Sequence, residues 1–142
     1  MEPREALVLA PIFAQLERGS LEALARAAKV RRFAPGELLV REGEDAVAFY
    51  VVCSGQAEVV KALGRKKEQV VGHLGPGDFF GEMALLDGFP RSASVRAATD
   101  CECLALVRWD FLGVVRSRIE VALGVLPVLS RRLRECEDQL LP

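Results

Sequence analysis

The chain has 142 residues, of which 51% are hydrophobic and 27% charged, and a formal net charge of −1. That length supports one domain with its own core and no staples. The balanced charge excludes an overall field that would gather nucleic acid or an acidic membrane.

No run of about 18 apolar residues is present, so no membrane span is expected. The start, Met1 followed by Glu2, Arg4 and Glu5, lacks the apolar stretch of a secretory leader. The expected setting is the reduced cytoplasm. Cys53, Cys101, Cys103 and Cys136 do not form a metal-ligand pattern. Cys101 and Cys103 would share one face of a strand, but no second pair completes a zinc site. The thiols read as core filler. Arg31-Arg32, Arg65-Lys66-Lys67 and Arg131-Arg132 are short clusters and read as solvated faces.

In chain order, the first thirty residues predict short helices. Ser20 is a candidate N-cap, and Leu21, Leu24, Ala25 and Ala28 form an apolar stripe at helical spacing. Pro35-Gly36 then breaks the helix. From Glu37 to Val107 the pattern is short strands broken by glycine-centred turns: Glu37–Arg41, Ala48–Cys53, Ala57–Lys61, Gln69–Leu74, Ala93–Ala97 and Cys101–Val107. Strands spaced this way predict a mainly β fold, a β-roll or jelly roll (double-stranded β-helix), with flanking helices. Glu82–Leu86 consists of helix formers and predicts one helical turn inside the roll. After the roll, Asp110 is a candidate cap for a helix through Phe111, Val114 and Val115.

A long C-terminal helix follows, to about residue 140. Ala122, Leu126, Leu129, Leu133, Cys136 and Leu140 are spaced 4, 3, 4, 3, 4, a heptad seam suited to a homodimer; packing on its own roll is the alternative. Pro127 either kinks this helix or opens a shorter one. The whole of 1–142 is read as a single domain, with the roll at 37–107 and the C-terminal helices at 110–140.

The stretch Gly77–Val95 (GDFFGEMALLDGFPRSASV) places Glu82 and Arg91 among small and apolar residues. Charges in such surroundings are paired or serve a ligand. Gly81 lets a backbone approach a ligand closely and opens the short helical turn, whose N–H groups favour an anion. Pro90 pre-sets the direction of Arg91. Arg91 offers a planar fork to a phosphate, Ser92 a hydroxyl, and small Ala93 leaves its own N–H accessible. Glu82, an acceptor, calls for a hydroxyl donor. A ribose cyclic phosphate satisfies both charges. A Glu82–Arg91 ion pair would explain the charges, but not the neighbouring Gly81, Pro90, Ser92 and Ala93.

Gly81-Glu82-Met83-Ala84-Leu85 and Pro90-Arg91-Ser92-Ala93-Ser94-Val95 resemble the phosphate-binding cassette of the catabolite activator protein (cAMP receptor protein) family. The same cyclic nucleotide-binding domain occurs in kinases and channels. Pro35-Gly36-Glu37, Gly43-Glu44, Tyr50-Val51-Val52, Ser54-Gly55 and Gly75-Pro76-Gly77-Asp78 extend the resemblance along nearly the whole chain.

The resemblance implies that Glu82 accepts from the ribose 2′-hydroxyl and that Arg91 pairs with the phosphate, helped by Ser92 and cassette N–H groups. It implies pocket walls from Met83, Val59, Val71 and Gly72, with Arg132 and Cys136 brought up by the C-terminal helix. The implied ligand is cAMP in preference to cGMP, and the implied role is a regulatory, non-enzymatic module that signals through its C-terminal helices to a downstream protein. The chain departs from the family in ending without a helix-turn-helix, so direct DNA binding is not expected of it. It departs again in carrying Cys136 and Glu137 where the bacterial activator offers hydroxyls to the base.

Three other readings stay open: the sensor half of a Crp/Fnr-type transcription regulator, a ligand-free dimerisation platform, and a jelly-roll metalloenzyme. The last has against it that His73 is the only histidine, whereas such sites need several converging ligands.

Overall fold

The computed structural model describes residues 2–140. Helices α1 (Pro3–Val8) and α2 (Arg18–Ala27) flank a 3-10 turn at Pro11–Phe13. Eight strands follow: β1 (Lys29–Phe33), β2 (Leu38–Val40), β3 (Ala48–Ser54), β4 (Ala57–Lys61), β5 (Gln69–Leu74), β6 (Phe79–Phe80), β7 (Ser94–Ala97) and β8 (Cys101–Val107). A 3-10 turn at Glu82–Leu85 interrupts the strands, and α3 (Arg108–Ser117) and α4 (Ile119–Leu140) close the chain.

The strands form two antiparallel sheets, ordered β1-β8-β3-β6 and β2-β7-β4-β5. This is the expected β-roll with flanking helices.

The period of two along β3 explains how the layers are held. Ala48, Tyr50 and Val52 point between the sheets, where they meet Leu39, Ala57, Val95 and Cys103. Phe49 and Val51 point the other way, into a second core with Leu7, Phe13, Leu24, Phe111 and Val121 from the helices. Along β8, Cys101, Cys103 and Ala105 face the other sheet while Leu104 and Leu106 face the helices. Alternation between two buried faces gives β3 and β8 their nearly unbroken apolar runs.

Several boundaries differ from the sequence reading. The N-cap of α2 is Glu17, and Ser20 lies in the first turn, fully buried. Burial of Leu21 and Leu24 fixes the helix face, and the turn that presents it begins before the serine. Strand β1 stands where the sequence predicts helix up to Pro35; only Phe33 of its five residues is buried, so no alternation marks it, and β8 imposes it through pairing. β6 is two residues long and supplied no pattern. Helix α3 is capped by Val107, with Asp110 inside its first turn, where a carboxylate suits the helix dipole. Pro127 lies inside a continuous α4.

Cys101 and Cys103 are buried on one face of β8, their sulfurs 3.7 Å apart. Burial, and then Cys101, push the Cys103 thiol well above the ordinary cysteine range. Cys53 is half-buried, but Cys136 is exposed and is not core filler.

Candidate functional site

The stretch from Gly81 to Ala93 lies against the face of the β2-β7-β4-β5 sheet that carries Val40, Val95 and Val59, and borders a cavity of about 290 Å³. Gly81, Met83, Ala84, Arg91, Ser92 and Ala93 line it, with Val59 of β4 on the facing wall. Phe80, Asp87, Phe89, Val40 and Val95 also face it.

Gly81 carries a positive φ of 80°. A Cβ there would collide with the Arg91 guanidinium and come within 3.1 Å of the Ala48 carbonyl oxygen. Glycine at this position therefore serves both the left-handed backbone and the close passage of Arg91.

Arg91 is held from three directions. Its backbone N–H donates to the Glu44 carbonyl at 2.8 Å, and its own carbonyl accepts from Gly43 at 2.9 Å. Its Nη2 donates to the Ala48 carbonyl at 2.5 Å. The guanidinium lies 5.9 Å from the centroid of Phe80, and that ring stacks on Tyr50 at 5.1 Å. Burial lowers the Arg91 pKa from its ordinary value, with Tyr50 opposing. Among the described residues no carboxylate pairs with Arg91, so its charge faces the cavity without a protein counter-ion.

Ser92 and Ala93 leave the ladder just before β7 begins. Their N–H groups donate to no backbone acceptor among the described residues.

Glu82 does not pair with Arg91. Its Oε1 accepts from Nη1 of Arg132 in α4 at 3.4 Å, and the same nitrogen sits 3.9 Å from the Met83 sulfur. The cassette is thereby joined to the C-terminal helix by a contact spanning fifty residues.

Glu82 and Arg132 sit beside the cavity rather than in its lining. Val71 is exposed on β5, an edge strand, and Gly72 packs its backbone against Val59. Cys136, one turn beyond Arg132, is exposed.

The Phe80–Tyr50 platform escaped the sequence reading. The signal was present in Phe79-Phe80 directly before Gly81: in a strand two adjacent rings face opposite ways. Phe79 meets Phe49 in the helix-side core and Phe80 meets Tyr50 between the sheets.

The fold and its opening define the class: a two-sheet β-roll with a glycine–arginine loop folded over a cavity. A family model described as the cyclic nucleotide-binding domain matches residues 30–118, and the chain belongs to that family. It is 39% identical over 110 residues to the cyclic AMP receptor protein of Thermus thermophilus, covering 78% of this chain and 51% of that protein. It is 40% identical over 88 residues to a cAMP-dependent protein kinase regulatory subunit of Colletotrichum orbiculare, covering 62% of this chain and 22% of that one. The chain thus spans about half, or less, of these curated relatives.

Among solved structures, the N-terminal domain of a transcriptional regulator from Streptomyces coelicolor matches with a TM-score of 0.87 at 31% identity, over 96% of both chains. The regulatory domain of Toxoplasma gondii PKA, co-crystallised with cAMP, matches with a TM-score of 0.71 at 32% identity, covering 80% of this chain and 43% of that one. No helix among the described residues is long and apolar enough to cross a membrane.

Proposed function

We propose that this domain is a regulatory module that binds cAMP in the cavity beneath the Gly81–Ala93 loop and signals through α3 and α4. The observation that carries this reading is the Arg91 guanidinium, fixed at the cavity wall by Ala48 and Phe80, with no carboxylate among the described residues, Asp87 of the same lining included, close enough to form an ion pair with it. A half-buried arginine without a counter-ion is costly unless an anion completes it. A singly charged cyclic phosphate would do so through the planar fork, with the Ser92 hydroxyl and the Ser92 and Ala93 N–H groups as further donors.

Glu82 would accept from the ribose 2′-hydroxyl. Doing so loosens its contact with Arg132, which gives the ligand a lever on α4. The sugar and base would lie against Met83, Val59, Val71 and Gly72, and α4 would bring Arg132 and Cys136 to the open side. Coupling of about 1–3 kcal/mol between ligand and helix position is the usual scale for such a device. The relatives named for cAMP favour that ligand over cGMP.

Calorimetric titration with cAMP, cGMP and 5′-AMP tests the reading. Tight binding of cAMP alone is the expected result. Absence of heat and of any thermal shift with folded protein would reduce the chain to a ligand-free platform.

The likeness to the N-terminal domain of a transcriptional regulator over 96% of both chains favours one further reading, a sensor half whose DNA-reading half is encoded downstream. The gene's reading frame after the last codon decides it.

Helix α4 buries Val121, Val125 and Val128 against its own core. Of the seam expected from spacing, Leu129 packs at the border of that core and Ala122 is half-buried, whereas Leu126, Leu133, Cys136 and Leu140 are exposed. A homodimer through this stripe is part of the proposal. Leu133, 64% exposed, is the test position: Leu133→Glu should convert a dimer to a monomer in sedimentation velocity. A dimer that survives the charge would rule out the seam.

A further inference from the structure

Lys61, the last residue of β4, reaches the cassette from outside. Its Nζ donates to the backbone carbonyl of Ser92. The β4–β7 ladder ends where Val60 pairs with Ser94, so one step further the register would set Lys61 opposite Ala93. At that point the cassette leaves the sheet, and a side-chain bond replaces the missing backbone one.

The peptide between Ser92 and Ala93 is trans, as are all peptides among the described residues. In a trans peptide the carbonyl and the next N–H point in opposite directions from one rigid plane. Fixing the Ser92 carbonyl toward Lys61 therefore fixes the Ala93 N–H away from it. Ala93 lines the cavity, and its N–H has no backbone acceptor among the described residues. A cation on the carbonyl also polarises the plane and strengthens the donor at its far end.

We propose that Lys61 is a positioning residue that locks the Ser92–Ala93 peptide so that the Ala93 N–H is presented to the ligand's phosphate. This rests on the reading of the cavity as a cyclic nucleotide site. Lys61 is not among the residues lining the cavity and acts through the peptide.

The test compares Lys61→Met and Lys61→Arg with the unaltered chain, using cAMP titration and the Ala93 amide resonance in ¹H–¹⁵N spectra. Lys61→Met should raise the Kd for cAMP about three- to tenfold, the effect of losing roughly one modest hydrogen bond. It should also move the Ala93 amide proton upfield in the free protein, and Lys61→Arg should restore both. An unmoved Ala93 amide in the free Lys61→Met protein overturns the proposal, whether or not nucleotide binds. So does an unchanged Kd in a chain that binds cAMP, or a weakened Kd that arginine does not rescue. Failure of the unaltered chain to bind cAMP would instead strike the underlying functional reading, and with it the phosphate as the target of the Ala93 N–H.

Discussion

Arg91→Ala is expected to weaken cAMP binding by about 2–5 kcal/mol, a rise in Kd of about 30-fold to several-thousandfold. The size follows from where the guanidinium sits. It is half withdrawn from water, oriented by the Ala48 carbonyl and the Phe80 ring, and lacks a carboxylate partner among the described residues. A bound phosphate would lose its one full countercharge in the cavity lining. Arg91→Lys should fall between the two, because an ammonium keeps the charge but not the two-pronged fork. Calorimetry on both variants, with melting curves to show that the roll survives, is the measurement. An affinity unchanged by Arg91→Ala would remove the arginine from the site.

Phe13→Ala should produce the largest loss of stability. The ring is fully buried. It meets Phe49 edge-on at 5.8 Å and Phe111 at 6.1 Å, so it ties the N-terminal segment to β3 and α3 together. Deleting such a ring costs about 3–5 kcal/mol, a large share of the roughly 5–15 kcal/mol that holds a domain of ordinary size. Urea unfolding at constant temperature would read it, and a change below about 1 kcal/mol would contradict the packing described. Because Phe49 and Ala48 are neighbours on β3, the substitution should also slacken the hold on Arg91. Nucleotide affinity should fall with stability, although Phe13 is remote from the cavity lining.

The cassette was legible because its two charges stand among residues that would not otherwise tolerate them. What could not be read was the partner of Glu82. Arg132 lies fifty positions away on a helix whose angle to the roll depends on the burial of Val121, Val125 and Val128, and no local pattern encodes that angle. The principal strands β3, β4, β5, β7 and β8 were readable from their turns and apolar runs. β1 was not, since its strand state is conferred by β8 and four of its five residues face water. The caps failed for a common reason. Ser20 and Asp110 have the right chemistry, but tertiary packing set the first turn earlier and left each inside its helix. Pro127 left two outcomes open, and the helix runs through it, giving up the bond its missing N–H would have made.

Beyond Leu129, every described residue of α4 but Arg132 is exposed. That segment is shorter than the roughly 12–15 residues an isolated helix needs to be even marginally stable in water. The packed turns before it supply the nucleus, and in the proposed homodimer the partner's helix would supply the cover. If the proposed homodimer forms through this stripe, protein concentration would bear on the proposed switch: dilution would fray the distal turns, slacken Arg132 and release Glu82. Backbone amides after Leu129 should accordingly exchange with solvent far faster than those around Val125, and the boundary should shift as the protein is concentrated.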